Sequence, residues 1–483
     1  MSEQSSRRGK RRGGRNTALD RQAQPAQDLR RQQNLRLPVI SHDDAMAIHN
    51  GALRILEEIG VQIDDEATRK DLLENHGCRQ DEDGYVRIPA SRVDHALSSV
   101  PDKVELFDRN GQRVVDTTSE RPAYCAGHNC VNILDHRTGD LRPGVLQDLA
   151  NTAKTCEALP HIDVACSLGY PTDVPPEEEA RRSVNTMMDN TVKPIAFTAH
   201  DEIKAEAIWD SMAERLGGWQ ALGDKPCGLD LTGPVSPLKL GDELCRRLQL
   251  GARNNLPVVC YPAIFPGMAG PITMAGVLAQ SAAETLAGVV VHQIAAPGAP
   301  VLAGSSVLPM DMKSATIAYG GPEYMLGNLG GTDYYNAIGL PSWIGAGCSD
   351  SHCVDAQAAA EVGANLALAS LAGTAFIHNL GFLSSGRTGS LEMLVLCDEL
   401  IGWSARFAQG IEVTEETIGV EVVKRAAKDN SYLTDNHTTE RYLTESWYPP
   451  LSERSDAMFW KEDGSVTMQD KIRTRLAEIL DAA

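Results

Sequence analysis

A (β/α)8 TIM barrel is the fold class this sequence predicts, within the α/β class, and three observations predict it. Eight short apolar runs recur from residue 123 to residue 379: AYCAG, VACSLGY, KPIAFTA, CGLDLTG, PVVCYP, APVLAGSS, PSWIGAG and TAFIHN. Strands buried on both faces read this way, as apolar stretches with little polar alternation. Each run leads through a Gly/Pro/Ser/Asp-rich loop into a helical stretch, at 144–156, 177–190, 202–216, 238–254, 273–292, 322–337, 355–371 and 390–406. Such alternation implies a parallel sheet. The third observation is what a doubly wound sheet would need and this chain lacks: neither GxGxxG nor GxxxxGK(S/T) occurs.

The barrel is placed at 121–407, and the flanks follow from composition. Residues 1–36 hold ten Lys/Arg against Glu3, Asp20 and Asp28, are rich in Gln and Gly, and are expected to be a disordered basic arm. Residues 37–120 are expected to form a helix and hairpin preamble packed on the barrel; Ile48, Ala52, Ile55, Leu56 and Ile59 recur at helical spacing before Gly60 stops the run. Residues 408–483 read as a C-terminal helical extension that wraps the barrel or makes a subunit contact, so a homo-oligomer is expected.

The charge pattern excludes some classes of partner. The formal net charge is −20, and outside the basic arm it is near −27, so the body repels nucleic-acid phosphates. No run of about 18 uninterrupted apolar residues suggests a membrane span. Eleven cysteines are scattered without a CxxC pair, which points to reduced thiols and a cytoplasmic protein.

The stretch GAGCSDSHCVDAQ, 345–357, is rich in chemistry and follows the seventh run, where barrels carry their active sites. Asp355 is well placed to cap the Ala-rich helix after it. Cys348, His352 and Cys353 resemble a metal set, as do His128 and Cys130 after the first run, but neither group has zinc-ligand spacing, so no zinc is expected. Residues 350–355 nearly spell the corrinoid-binding DxHxxG, with Asp355 where the glycine would be; a substrate-binding loop is the remaining reading.

Several stretches together, IHNGALRILEEIGVQI, LTGPVSPL, GGPEYML, SDSHCVDAQAAAE and HTTERYLTESWYPPLSERSDAMFW, resemble the trimethylamine methyltransferase family. The likeness is to its pyrrolysine-lacking branch, which includes glycine betaine:corrinoid methyltransferases, because only ordinary residues occupy the SDSHCVDAQ loop. The resemblance implies methyl transfer from a quaternary amine, glycine betaine favoured, to cob(I)alamin held by a partner corrinoid protein. It leaves open a trimethylamine enzyme without pyrrolysine, or a non-catalytic quaternary-amine binder. A quaternary nitrogen has no lone pair for a metal to grip, which also argues against zinc.

Site candidates follow from that chemistry. Cation–π contact holds trimethylammonium groups, so aromatic residues near strand ends are singled out: Tyr261, Trp343 and Phe382. A substrate carboxylate calls for hydrogen-bonding groups at the mouth, and His128, Asn129, His378 and Asn379 suit that role, with Glu323 shaping the sixth loop. Asp350 and His352, in the seventh loop, and Asp230, within the run GLDLTG, are the catalytic candidates. A buried Asp230 must be paired, either with the ammonium group or with a neighbouring loop.

Overall fold

A computed structural model of the chain describes residues 35–429 and 431–482; the basic arm expected over 1–36 lies outside the described residues except for Leu35 and Arg36. Seven parallel strands form one sheet: β1 (Ala123–Ala126), β2 (Ile195–Phe197), β3 (Gly228–Thr232), β4 (Val258–Cys260), β5 (Val301–Gly304), β6 (Ser342–Gly345) and β7 (Phe376–Leu380). Their order is β1-β7-β6-β5-β4-β3-β2. The gap between β1 and β2 is spanned by single parallel bridges, Cys125 to Val164 and Ala165 to Ile195. All eight apolar runs therefore stand in the ring, the second as bridges alone.

Eight helices follow these runs: α1 (Leu146–Ala158), α2 (Glu179–Asn190), α3 (Glu202–Leu216), α4 (Asp242–Arg253), α5 (Met274–Ala295), α6 (Pro322–Ala337), α7 (Ala356–Ser370) and α8 (Leu391–Ala408). Side-chain caps fix several starts, since the first amides of a helix lack intrahelical acceptors. Asp201 accepts from the Lys204 amide, Asp355 from Ala358 and Ser390 from Met393.

α5 is apolar on every side because it is covered on every side. The preamble helices His42–Arg54 and Ala90–Ser99 pack on its outer face, while β4 and β5 lie against its inner one. By length and composition α5 could cross a membrane, but 78% of the relevant stretch is buried inside the protein. The preamble is tied in further by Gln62–Ile63, which pairs in parallel with Lys239–Leu240 beyond β3. Residues 449–482 belong with the barrel: Leu451 and Ser452 hydrogen-bond the Glu399 carboxylate of α8, and the helix Met468–Asp481 packs on α8 and α1. Residues 411–448 are a separate helical unit, in which Arg425 pairs with Asp435 at 3.1 Å.

Strand register decides which side chains enter the barrel. Asp230 stands level with Phe197 and Val258, and the Phe197 ring packs edge-on against Trp209 of α3 at 4.9 Å. That side of the strand faces the helices. Asp230 accordingly meets Arg247 of α4, with Nε 3.2 Å from Oδ2 and Nη2 on Oδ1, and the guanidinium continues to the carbonyls of Ala199 and Leu231, both at 2.7 Å. Residues 1% and 5% exposed thus neutralise each other between sheet and helix.

Of the two roles open to Asp230, its contacts are those of the brace. Asp230→Ala should lower unfolding free energy by about 3–5 kcal/mol, because it strands a buried guanidinium, and Asp230→Ala/Arg247→Met should recover most of the loss. Urea unfolding measures both. A catalytic Asp230 would instead leave stability unchanged in the single variant.

Candidate functional site

Inside the barrel, rings gather from within β6 and β7 up to the carboxyl ends of the strands. The Trp343 ring of β6 lies 5.0 Å from Phe376 and 4.8 Å from His378, both on β7. Tyr261, just past β4, meets His378 edge-on at 5.9 Å. His128, in the loop after β1, stacks on His378 at 6.1 Å and lies 6.2 Å from Phe382. Two glycines make the packing possible. A Cβ on Gly127 would fall 2.1 Å from the Phe382 ring, and one on Gly304 would fall 2.1 Å from the Cβ of Tyr261.

The electrostatics of this cluster are those of a buried, uncharged group of rings. Burial holds the His128 imidazole down at about 4, although the residue as a whole is only half-buried. Burial, and then the neighbouring His128, keep His378 well below the usual histidine range. Both rings are neutral at pH 7, so neither repels a cation. Burial also pushes the Tyr261 phenol up to about 12. Three nitrogens of the cluster, His128 Nδ1, His378 Nδ1 and Trp343 Nε1, are buried without a hydrogen-bond partner. An orphaned buried polar atom costs about 1–3 kcal/mol, and three of those found among the described residues fall within this one cluster.

The remaining candidates hold the loops around the rings or lie outside them. Asn129, in a left-handed conformation, accepts a 2.8 Å bond from the Ser167 hydroxyl. Asn379, also left-handed, donates to the Tyr324 hydroxyl at 3.3 Å. Asp350 joins three loops by accepting from the amides of Tyr319 (3.0 Å) and Gly320 (2.9 Å) and the hydroxyl of Ser385 (3.0 Å). His352 is exposed and ends in a 2.9 Å bond to Ser384. Glu323 is exposed in the first turn of α6, where a carboxylate favours the helix dipole. Asp230 faces away, as described above.

Metal-ligand candidates do not converge. Cys348 is buried with Sγ 3.8 Å from the Tyr324 hydroxyl, while His352 and Cys353 face solvent. Among the described residues no group of three or more His, Cys, Asp or Glu is gathered in a way that could hold a metal ion. Two grooves of about 490 and 380 Å³ lie elsewhere, where the Met468–Asp481 helix meets α8 and α1.

Sequence reasoning passed over Tyr319 and Tyr324. Tyr319, 6% exposed, packs edge-on against Tyr324 at 4.8 Å. Both lie in or beside GGPEYML, and in a chain only 5% aromatic their proximity to that stretch was the available signal. Glu361 and Asn365 of α7 were passed over too. They fix the seventh loop by accepting from the amides of Asp350 (2.9 Å) and Gly347 (2.8 Å).

Fold and site together define a barrel protein with a buried cluster of neutral rings and unpartnered nitrogens that extends to the carboxyl ends of its strands, the end at which barrel enzymes bind substrate. Over residues 5–483 the sequence matches the trimethylamine methyltransferase (MTTB) family, and the chain belongs to it. A glycine betaine methyltransferase of Desulfitobacterium hafniense strain Y51 is 28% identical over 444 residues, 92% of each chain. Trimethylamine methyltransferase MttB of D. hafniense DCB-2 is 28% identical over 442 residues, 91% of this chain and 89% of that one. The crystal structure of Methanosarcina barkeri monomethylamine methyltransferase (MtmB) is 13% identical with a TM-score of 0.49, covering 90% of this chain and 92% of that one.

The depressed histidines set a pH dependence. Unfolded, His128 takes a proton near 6.5; folded, it resists until about 4. The unfolded state therefore binds more protons in that window, and stability falls as pH drops through it. His128→Asn should show a smaller fall in unfolding midpoint between about pH 6.5 and pH 4.5 than the unaltered protein. Identical slopes in calorimetry would mean that His128 is not held neutral.

Proposed function

We infer that the chain takes a methyl group from a quaternary amine, glycine betaine before others, and passes it to a corrinoid carried by a partner protein. The observation that carries this reading is the ring cluster at the mouth: aromatic faces without formal charge, beside unpartnered nitrogens. A trimethylammonium group is attracted to aromatic faces, by about 0.5–2 kcal/mol per contact when desolvated. A carboxylate on the same molecule would satisfy the nitrogens, which makes a betaine a better fit than a bare amine.

The absence of a counter-charge among the rings suits the reaction. Positive charge on the nitrogen disperses as the methyl group departs, so a carboxylate clamped on it would stabilise the ground state more than the transition state. Tyr261, Trp343 and Phe382 hold the ammonium group, His128 and His378 offer nitrogens to the carboxylate, and the packed walls exclude water. The amine leaves neutral and needs no acid. When bound by its own protein and brought to the mouth, a corrinoid supplies the cobalt nucleophile that accepts the methyl group. The standard residues of the 348–355 loop and the likeness to a glycine betaine methyltransferase support the same substrate class.

Incubation of the protein with chemically reduced cobalamin and a panel of methylated amines tests the proposal. Methylcobalamin should form with glycine betaine, and His378→Ala should lower kcat/KM by roughly a hundredfold through lost positioning. Phe382→Ala should cost roughly tenfold through lost ring contact. Conversion with trimethylamine but not with any betaine would refute the quaternary-amine assignment, and conversion with none would refute the activity.

A further inference from the structure

Tyr319 stands outside the ring cluster as sequence reasoning drew it, yet three loops converge on it. It follows the hairpin Met310–Asp311/Thr316–Ile317 beyond β5. Its ring reaches the loop after β7, where a Cβ on Gly386 would lie 3.0 Å from Cε2 and 3.1 Å from Oη. Gly386 in turn receives the Cys130 thiol from the loop after β1, at 3.4 Å. Tyr319 thus reaches from the loop after β5 over β6 to the loop after β7. Its ring packs on Tyr324 at 4.8 Å, and the Tyr324 hydroxyl accepts from Asn379, the neighbour of His378 in β7. Burial raises the Tyr319 phenol. No side chain or backbone group among the described residues hydrogen-bonds the hydroxyl.

Asp350 sets that position. Its two oxygens accept from the amides of Tyr319 and Gly320, and one of them also accepts from Ser385, next to Gly386. The carboxylate itself is fixed from α7, through the Glu361 bond to its own amide. Removing Asp350 would free the backbone on both sides of the Tyr319 contact while leaving the β-barrel untouched.

We propose that Tyr319 is a further wall of the ammonium site, closing the ring cluster from above, and that Asp350 is the positioning residue that holds it there. This rests on the quaternary-amine reading and deepens it. The ring face does the work, so the hydroxyl is dispensable. Asp350 acts only through Tyr319 and touches no substrate.

Calorimetric titration of the full chain with glycine betaine and, separately, tetramethylammonium tests this. Tyr319→Phe should bind both within about threefold of the unaltered protein, whereas Tyr319→Ala should weaken both by roughly tenfold. Asp350→Asn, whose amide has a single acceptor oxygen, should weaken both by a similar or smaller factor. The double variant Tyr319→Ala/Asp350→Asn should bind no worse than Tyr319→Ala, because the second change acts through a ring already gone. Unchanged binding by Tyr319→Ala, or full additivity in the double variant, overturns the inference and leaves the substrate reading standing. If the unaltered protein binds neither ligand, both fall together.

Discussion

Everything at the mouth depends on keeping His378 neutral among other rings. Its imidazole is within about 6 Å of three aromatic or heteroaromatic neighbours, Trp343, Tyr261 and His128, and a proton there would be buried without a counter-ion. The barrel is arranged so that no charge enters from the strands. Asp230 turns outward to Arg247. At the amino ends of the strands, Lys193 caps the carbonyls of Cys156, Leu159 and Ile162, and Arg121 pairs with Asp163 at 3.0 Å. Charges needed to brace strands and helices therefore sit on the helical side or at the floor, and the interior near the mouth is left to rings.

Asp350, beside Tyr319, has its acceptors taken up by the protein itself. Two backbone amides and a hydroxyl donate to it, and charge-assisted bonds of this kind are among the stronger ones. The side chain therefore orders the loops that meet at Tyr319. The seventh loop gains rigidity the same way, from Glu361 and Asn365 on the helix that follows it. Side chains of one βα unit thus set the conformation of loops belonging to its neighbours, which makes the mouth a cooperative structure.

How much of this was legible depends on whether the signal was local. The eight runs and eight helices were legible because buried parallel strands and their covering helices write continuous apolar stretches and caps such as Asp355. The second strand was legible as a run, but not as the pair of bridges it becomes. Whether Asp230 faces ring or helix was not legible: in CGLDLTG both faces are apolar, so alternation cannot separate inside from outside, and only register with Phe197 and Val258 decides. His128, Tyr261, Trp343, His378 and Phe382 could be picked out by residue type and place near the strands, and the fold brings their rings together. Tyr319 was not, because it reaches the mouth by crossing between loops 67 residues apart, and no short motif records that path.

The unpartnered nitrogens separate candidate substrates further than the rings can. Histidine Nδ1 accepts or donates according to tautomer, so His128 and His378 adapt to either kind of ligand. Indole does not: Trp343 Nε1 can only donate, and it is buried in the cluster with no acceptor. A trimethylammonium ion has no acceptor to offer it, and tetramethylammonium has none either. Glycine betaine has two carboxylate oxygens, on the carbon next to the methylene that follows its nitrogen. A donor that is costly to leave unmet discriminates strongly against a ligand lacking its partner. Under the proposed reading the rings would bind any methylated cation, and Trp343 would set a preference among them.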